Sequence, residues 1–386
     1  MKNYLKNKFQ EVFKTSPDTY LSCGGRFEML GNHTDHNHGL CIAATCSLSI
    51  YAAVKKRNDY IVNIMSEGYR PFTIDLRNLS KRKEEEGQSN ALIRGITSYL
   101  AKEYQYGGFD IYLKSLVPSG AGVSSSAAFE LLIAQTINLV FNEGNIPLMT
   151  LCKASQFAER EYYGKMCGLL DQIGVAYGGL VYIDFQDINN PIVKPLKANI
   201  KDYSFVIVNS GGSHAGLDHL YKAIPDDMFK VAHYFEKEYL RDVEEIDVKN
   251  HKEEIIAQCG LLAYQRAEHF YGENRRVQEA YSAIKNNDIE KLISLINESR
   301  KSSTNLLHNM YVDNIDGSPL EACELIMEAS YGKAGVKING GGFAGSVIAL
   351  VPNDVLNDVL EVTIKQYGKE NVHQVAIRNT IPEILK

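Results

Sequence analysis

The chain has 386 residues, 45% of them hydrophobic and 23% charged, enough to bury a substantial core in two or three domains. Its 41 basic residues against 47 acidic ones give a formal net charge of −6, a poor match for general binding to nucleic acid or an anionic membrane, although a local basic site for a phosphate stays open. The composition excludes collagen-like, largely disordered and coiled-coil classes, and no apolar run approaches the roughly 20 residues that span a bilayer.

In chain order, Leu5, Phe9, Val12 and Phe13 predict an amphipathic helix over about 3–14, ended by Ser16-Pro17-Asp18. This start has no apolar signal-peptide core, so a cytoplasmic location is expected. Tyr20 to Leu30 reads as a strand interrupted by Gly24-Gly25, and residues 40–55 and 60–66 read as further strands. Ser80–Gly87 is a charge run, expected to be a solvated loop or helix start. A helix follows over roughly 89–104 and a strand over Phe109–Leu116. Two more helices are expected up to Phe141 and from Leu148 to Tyr163, then strands at Leu180–Phe185 and Ser204–Asn209. Residues 224–300 form a charged helical layer, and Val336–Ile338 and Val347–Val351 are strands flanking a glycine cluster. Strands and helices mix without regular βαβ alternation, which favours an α+β fold. The seven Cys are widely spaced with no CxxC, as expected of reduced thiols.

Between a strand and a long apolar helix lies Pro118-Ser119-Gly120-Ala121-Gly122-Val123-Ser124-Ser125-Ser126-Ala127-Ala128. Glycines let backbone N–H groups approach an anion, the helix N-terminus adds its dipole, and one serine can reach a metal. No Gly-Lys-Ser/Thr follows, so it is not a Walker A loop. A tight turn with a Ser cap would explain one Gly and one Ser, not the whole string. The second cluster, Gly340 to Gly345, is by itself a hairpin turn or a second nucleotide loop.

The segment Gly25–Gly39 packs three His and one Asp into a short loop. Zinc is possible from the residue types, but the spacing fits no standard site. A polar sugar pocket accounts for the residues better, and a polar surface turn stays open. Asp171, in Gly168–Gly174, is a carboxylate in an apolar stretch, which needs a partner or a cap. Arg26 is a candidate partner.

Together these loops resemble the GHMP kinases, most closely their galactokinase branch, over nearly the whole chain. GRFEMLGNHTDHNHG is similar to the signature GRxNxIGEHTDYxxG, PSGAGVSSSAAFE to the phosphate loop, AEREYYGKMCGLLDQ to the catalytic-Asp segment and KINGGGFAGSVIALV to the third motif. The resemblance implies a two-domain α+β fold, divided here at 1–195 and 196–386, with nucleotide and sugar between the domains. It implies transfer of the γ-phosphoryl group of ATP to O1 of α-D-galactose, giving galactose 1-phosphate and ADP. Gly120, Ala121, Gly122, Val123, Ser124, Ser125 and Ser126 would wrap the ATP phosphates, and Ser126 and Glu159 would hold Mg2+. Asp171 would face the anomeric hydroxyl, and Arg26 would stabilise the transferring phosphoryl. Asn32, His33, Thr34, Asp35, Gly168 and Tyr221 would contact the sugar. The family includes monomers and homodimers, and neither nucleic acid nor a membrane is an expected partner.

The sequence departs from the pattern in places. Asn32 stands where the signature has Glu, whose carboxylate accepts from a sugar hydroxyl, typically at C6. A neutral amide would tolerate a carboxylate there, so galacturonate or another galactose-like sugar is an alternative substrate. The chain has no Trp; the family often clamps adenine with one, and Ser89 stands at that place. Ala344 and Ser346 replace the usual Gly and Cys of the third motif. A sugar- and ATP-binding regulator without turnover and a kinase for a non-sugar alcohol are the remaining readings.

Overall fold

The computed structural model describes residues 1–117, 122–212, 216–312 and 317–385. The strands are β1 (Thr19–Leu30), β2 (Leu40–Lys56), β3 (Ile61–Ser66), β4 (Phe72–Asp75), β5 (Phe109–Ser115), β6 (Leu180–Asp184), β7 (Ile192–Leu196), β8 (Tyr203–Asn209), β9 (Gly335–Ile338), β10 (Ser346–Pro352), β11 (Val372–Val375) and β12 (Glu383–Ile384). The helices are α1 (Lys2–Phe13), α2 (Ser89–Leu100), α3 (Ser125–Phe141), α4 (Leu148–Phe157), α5 (Leu170–Ala176), α6 (Asp218–Tyr234), α7 (Glu245–Asn250), α8 (Lys252–Cys259), α9 (Leu261–Lys285), α10 (Ile289–Ser302), α11 (Pro319–Ala329) and α12 (Leu356–Tyr367). No helix among the described residues is long and apolar enough to cross a membrane.

The strands form two sheets. An eight-stranded sheet runs β12-β1-β2-β5-β3-β4, with β6 and β7 continuing from β2. A four-stranded sheet runs β11-β8-β10-β9. This is the α+β architecture expected. The first sheet is built from residues up to Leu196, but the chain returns at its end to add β12 beside β1.

β1 and β2 are the spine. They pair antiparallel over most of their length and are buried almost throughout, so both read as apolar and β-branched rather than alternating. The helix α3 is apolar on nearly every side, with Ala127, Leu131, Ala134 and Ile137 fully or almost fully buried, and it packs against β1 in the main core. A second apolar cluster joins α6, α8 and α9, and a third lies between the small sheet and α11 and α12.

The structure departs from expectation in a few elements. The helix predicted to Tyr163 is α-helical to Phe157 and then widens into a π-helical turn, Ala158–Tyr163. β4 and β7 are short and carry no clear periodic signal. The charge run is mostly solvated, but Glu85 within it is 6% exposed and grips the fully buried Arg94 through two bonds of 2.7 and 2.8 Å. That arginine lies on the buried face of α2, so the run carries one structural carboxylate that charge patterning conceals. All seven Cys are free, and five of them are buried.

Candidate active site

The register of β1 against β2 shifts between Gly24 and Arg26. A side chain at Gly25 would land on the Val123 carbonyl. Glycine there lets the phosphate-loop backbone lie against β1, where the Val123 carbonyl accepts the Arg26 N–H at 2.9 Å. Arg26 is 5% exposed. Its Nε and Nη2 each approach Asp171 Oδ1 at 2.7 Å, and its Nη1 donates to the Gly122 carbonyl at 2.7 Å.

Asp171 sits in the first turn of α5. Its second oxygen accepts from the Ser124 hydroxyl at 2.7 Å. Ser124 reaches it from a left-handed backbone conformation, φ 53°, a strained position for a residue other than glycine. Burial works to raise the Asp171 pKa, but the charge of Arg26, the Ser124 hydroxyl and Lys165 outweigh it and hold the carboxyl below its ordinary value. Asp171 is thus ionised at neutral pH, while 36% of its side chain stays open.

The loop after β1 is tightly bonded. Thr34 is fully buried and shares its hydroxyl between the carbonyls of Gly31 and Leu40 at 2.9 and 2.8 Å. It staples the loop and has no free hydrogen for a ligand. His33 has φ 58° and its Nε2 lies 2.8 Å from the Gly341 carbonyl. Asp35 meets Gly168, where any side chain would land on its carboxylate; this brings the Asp171 segment onto the loop. On α6, the Tyr221 hydroxyl donates to the Gly342 carbonyl at 2.6 Å, and its ring covers Gly341. Gly342 holds φ +87°, which a side chain would resist.

A cavity of about 570 Å³ opens beside this cluster. Its lining includes the polar Ser125, Ser126, Glu130, Glu159 and Lys165 and the apolar Tyr69, Phe72, Phe129, Ile50 and Leu92, with Ser89. Glu159 binds Lys165 at 2.8 Å, and the Gln172 amide bridges Glu159 and Glu130 at 3.1 and 3.2 Å. Burial and the charge of Glu159 push the Glu130 carboxyl well above its ordinary value, and Glu130 Oε1 is buried without a partner. Gly120 and Ala121 lie outside the described residues.

Residues 91–179 match the family model of the GHMP kinases N terminal domain, and residues 7–56 match the galactokinase galactose-binding signature. The chain therefore carries the marks of the galactokinase branch of the GHMP kinases, to which it is similar over nearly its whole length. These likenesses mark it as an ATP-dependent sugar kinase. The chain is similar to a galactokinase of Glaesserella parasuis, 29% identical over 95% of this chain and 93% of the relative. A galactokinase of Clostridium tetani is also 29% identical, over 95% and 92%. The fold matches the crystal structure of Lactococcus lactis galactokinase complexed with galactose, with a TM-score of 0.85, 23% identity and full coverage of both chains. Methanococcus jannaschii mevalonate kinase follows the same fold at a TM-score of 0.67 and 16% identity, covering 93% of this chain and 98% of that one.

Several buried polar residues packed around the loop after β1 escaped sequence reasoning. Glu28, Lys337, Asn309, His269 and Glu273 converge on the loop from four separate elements or their flanks. The His269 Nε2–H donates to the Asn32 carbonyl at 2.9 Å. Glu273 accepts the Gly31 N–H at 3.0 Å, the Ser299 hydroxyl at 2.7 Å and Arg276 at 2.7 Å. An acid inside the apolar run Phe27-Glu28-Met29-Leu30 and a lysine inside Val336-Lys337-Ile338 were the available signals.

Burial would raise the Glu273 pKa, but Arg276, His269, Lys337 and the Gly31 N–H together lower it to about 2. A carboxyl held below its unfolded value stabilises the fold above that value and loses the contribution as pH falls through the folded one. The window runs from the ordinary 4.5 down to about 2 and corresponds to about 3 kcal/mol. Glu273→Gln should therefore flatten the acid limb of stability below pH 4.5 in urea titrations run at stepped pH; an unchanged acid limb would show that Glu273 is not the linked group.

Proposed function

We propose that the protein is a galactokinase, transferring the γ-phosphoryl group of ATP to O1 of α-D-galactose to give galactose 1-phosphate and ADP. The observation that carries this reading is the Arg26–Asp171–Ser124 cluster, an ionised carboxylate held beside a buried guanidinium at the mouth of the phosphate loop. Phosphoryl transfer needs alignment and charge neutralisation more than a strong base. A carboxylate with a depressed pKa is a weak base, so Asp171 orients the anomeric hydroxyl and takes its proton late. Arg26 holds Asp171 ionised and offers its charge to the transferring group. Sugar and nucleotide would meet between an N-terminal half, 1–195, and a C-terminal half, 196–386.

The cavity is where ATP would sit. The serines at the start of α3 would receive the phosphates, and Tyr69, Phe72 and Phe129 supply the apolar walls for the base that a Trp would otherwise give. Ser126 and Glu159 would hold Mg2+, with Glu130 close behind through Gln172. The unpartnered oxygen of Glu130 and the hard oxygen donors suit that ion. Among the described residues no cluster of three or more His, Cys, Asp or Glu is set to hold a metal, but magnesium in a kinase rests on one or two carboxylates and the substrate phosphates. When bound it would neutralise phosphate charge. Lys165 keeps its charge because the Glu159 carboxylate outweighs its burial, and it is a further cation at the phosphate end.

The test is ADP release with ATP and Mg2+ on galactose, galactosamine, N-acetylgalactosamine, glucose and galacturonate. Turnover is expected on galactose. Silence on all five with galactose binding intact would make the protein a sugar-binding regulator instead.

A further inference from the structure

Set letter by letter against the signature GRxNxIGEHTD, the chain differs at two polar positions, and the differences are reciprocal. Position 28 carries Glu where the signature has Asn; position 32 carries Asn where it has Glu. The two side chains touch. Asn32 Nδ2 donates to Glu28 Oε1 and Oε2 at 3.1 and 3.3 Å and to the Gly340 carbonyl at 2.7 Å. Asn32 Oδ1 accepts from Asn309 Nδ2 at 2.9 Å. Lys337 Nζ donates to Glu28 Oε1 at 2.8 Å and to the Ile338 carbonyl at 2.8 Å. Lys337, Glu28 and Asn32 are 0, 3 and 1% exposed.

The amide of Asn32 therefore has no hydrogen left for a ligand, and the cation that touches the pair, Lys337, is committed and sealed. Among the described residues two acceptors flank it without a partner, His33 Nδ1 and Asn309 Oδ1, while the unpartnered donor Asn37 Nδ2 lies further along the same loop. His33 Nε2 faces the Gly341 carbonyl, which can only accept, so Nε2 carries the hydrogen and the buried Nδ1 offers a lone pair. Burial, helped by His36, lowers the His33 pKa to about 3 and keeps the ring neutral. The Asn309 amide is oriented by its bonds to Asn32 Oδ1 and the Gly341 carbonyl, which leaves its own buried Oδ1 free as a second acceptor. Buried unpartnered acceptors call for a group that brings hydrogens. A carboxylate brings none and would be desolvated against lone pairs.

We propose that Glu28 and Asn32 are an exchanged carboxylate–amide pair, fastened by Lys337, which leaves this end of the sugar site lined by acceptors and selects a hydroxyl-bearing hexose against its uronic acid. The inference rests on the galactokinase reading. It reverses what Asn32 suggests in isolation: the neutral amide does not open the site to galacturonate, because its donors are spent within the protein. Glu28 and Lys337 act as positioning residues for the acceptors.

The test has two arms. In the first, kcat/KM of the unaltered protein is measured on galactose and galacturonate. A preference for galactose of at least about a hundredfold is expected from a site built for a hydroxyl donor. Galacturonate turnover within tenfold of galactose overturns the inference and leaves the kinase reading standing; turnover of neither sugar overturns both. In the second, Glu28→Asn and Asn32→Glu are made singly and together. Each single variant should lose about a hundredfold in kcat/KM on galactose, by unpairing Lys337 or by setting two carboxylates in contact, whereas the double variant should recover to within about tenfold of the unaltered protein. If a single variant does not fold, recovery of folded, active protein in the double variant is the same coupling. A double variant no better than the singles overturns the pairing.

Discussion

Asp171→Asn should lower kcat on galactose by about a thousandfold or more, while the sugar's dissociation constant moves less than about threefold. Asparagine keeps the shape of the side chain and an oxygen for Arg26 or Ser124, so the pocket should persist. It removes the negative charge that two Arg26 nitrogens meet at 2.7 Å. Three consequences follow from that one change. On the proposed assignment the anomeric hydroxyl would lose its acceptor and proton sink. Arg26 loses its fixed counter-ion and its orientation toward the phosphoryl group. Ser124, which has a left-handed backbone, loses the charged partner of its hydroxyl. All three act in the transition state more than in the ground state, so kcat should fall and binding should not. Because Arg26, Ser124 and Lys165 hold the Asp171 carboxyl below its usual value, the unaltered protein should show no acid limb from this group above about pH 4. Calorimetry with galactose and single-turnover ADP release separate the two quantities. A loss of less than tenfold in kcat would mean that Asp171 does not orient the acceptor hydroxyl.

The largest expected effect on stability is at Lys337. Lys337→Met should destabilise the protein by about 3–5 kcal/mol, because it leaves a buried carboxylate without its ion partner. Glu28 would keep only the Asn32 amide and the Asn339 side chain near its backbone N–H. Burial already raises the Glu28 pKa against the pull of Lys337. Without Lys337 it should rise further. A carboxyl whose folded pKa exceeds its unfolded value costs stability as pH climbs from the unfolded value toward the folded one. The variant should therefore lie closer to the unaltered protein at pH 5 than at pH 8. Adding Glu28→Gln should recover most of the loss, since a neutral amide needs no ion. Denaturation midpoints at both pH values test this; a Lys337→Met variant as stable as the parent would show that the pair contributes nothing net.

These two residues also mark how far the sequence could be read. Asp171 was legible because a lone carboxylate in an apolar stretch is chemically conspicuous, and because Arg26 was the conspicuous cation in another motif. Lys337 was not. It reads as one polar letter in a short strand, and its partner lies 309 positions away. Thr34 illustrates the opposite error. Its place in the loop suggests a sugar contact, yet its hydroxyl is consumed by two carbonyls of that same loop. Glu85 was hidden in a charge run whose other members are solvated.

What the sequence by itself determined was the order of the elements, the glycines that let the phosphate loop and β1 approach, and the kinds of side chain that the chemistry uses. These are local matters, set by hydrophobic period, turn chemistry and residue type. Only the tertiary structure decided which polar groups are free. Asn32 looked like a neutral, available amide, and the fold spends all its hydrogens on Glu28 and Gly340. The physical reason is that hydrogen-bond capacity is filled by whatever neighbours the fold supplies, here Glu28 four positions back on β1 and Gly340 beside β9, 308 positions further along the chain.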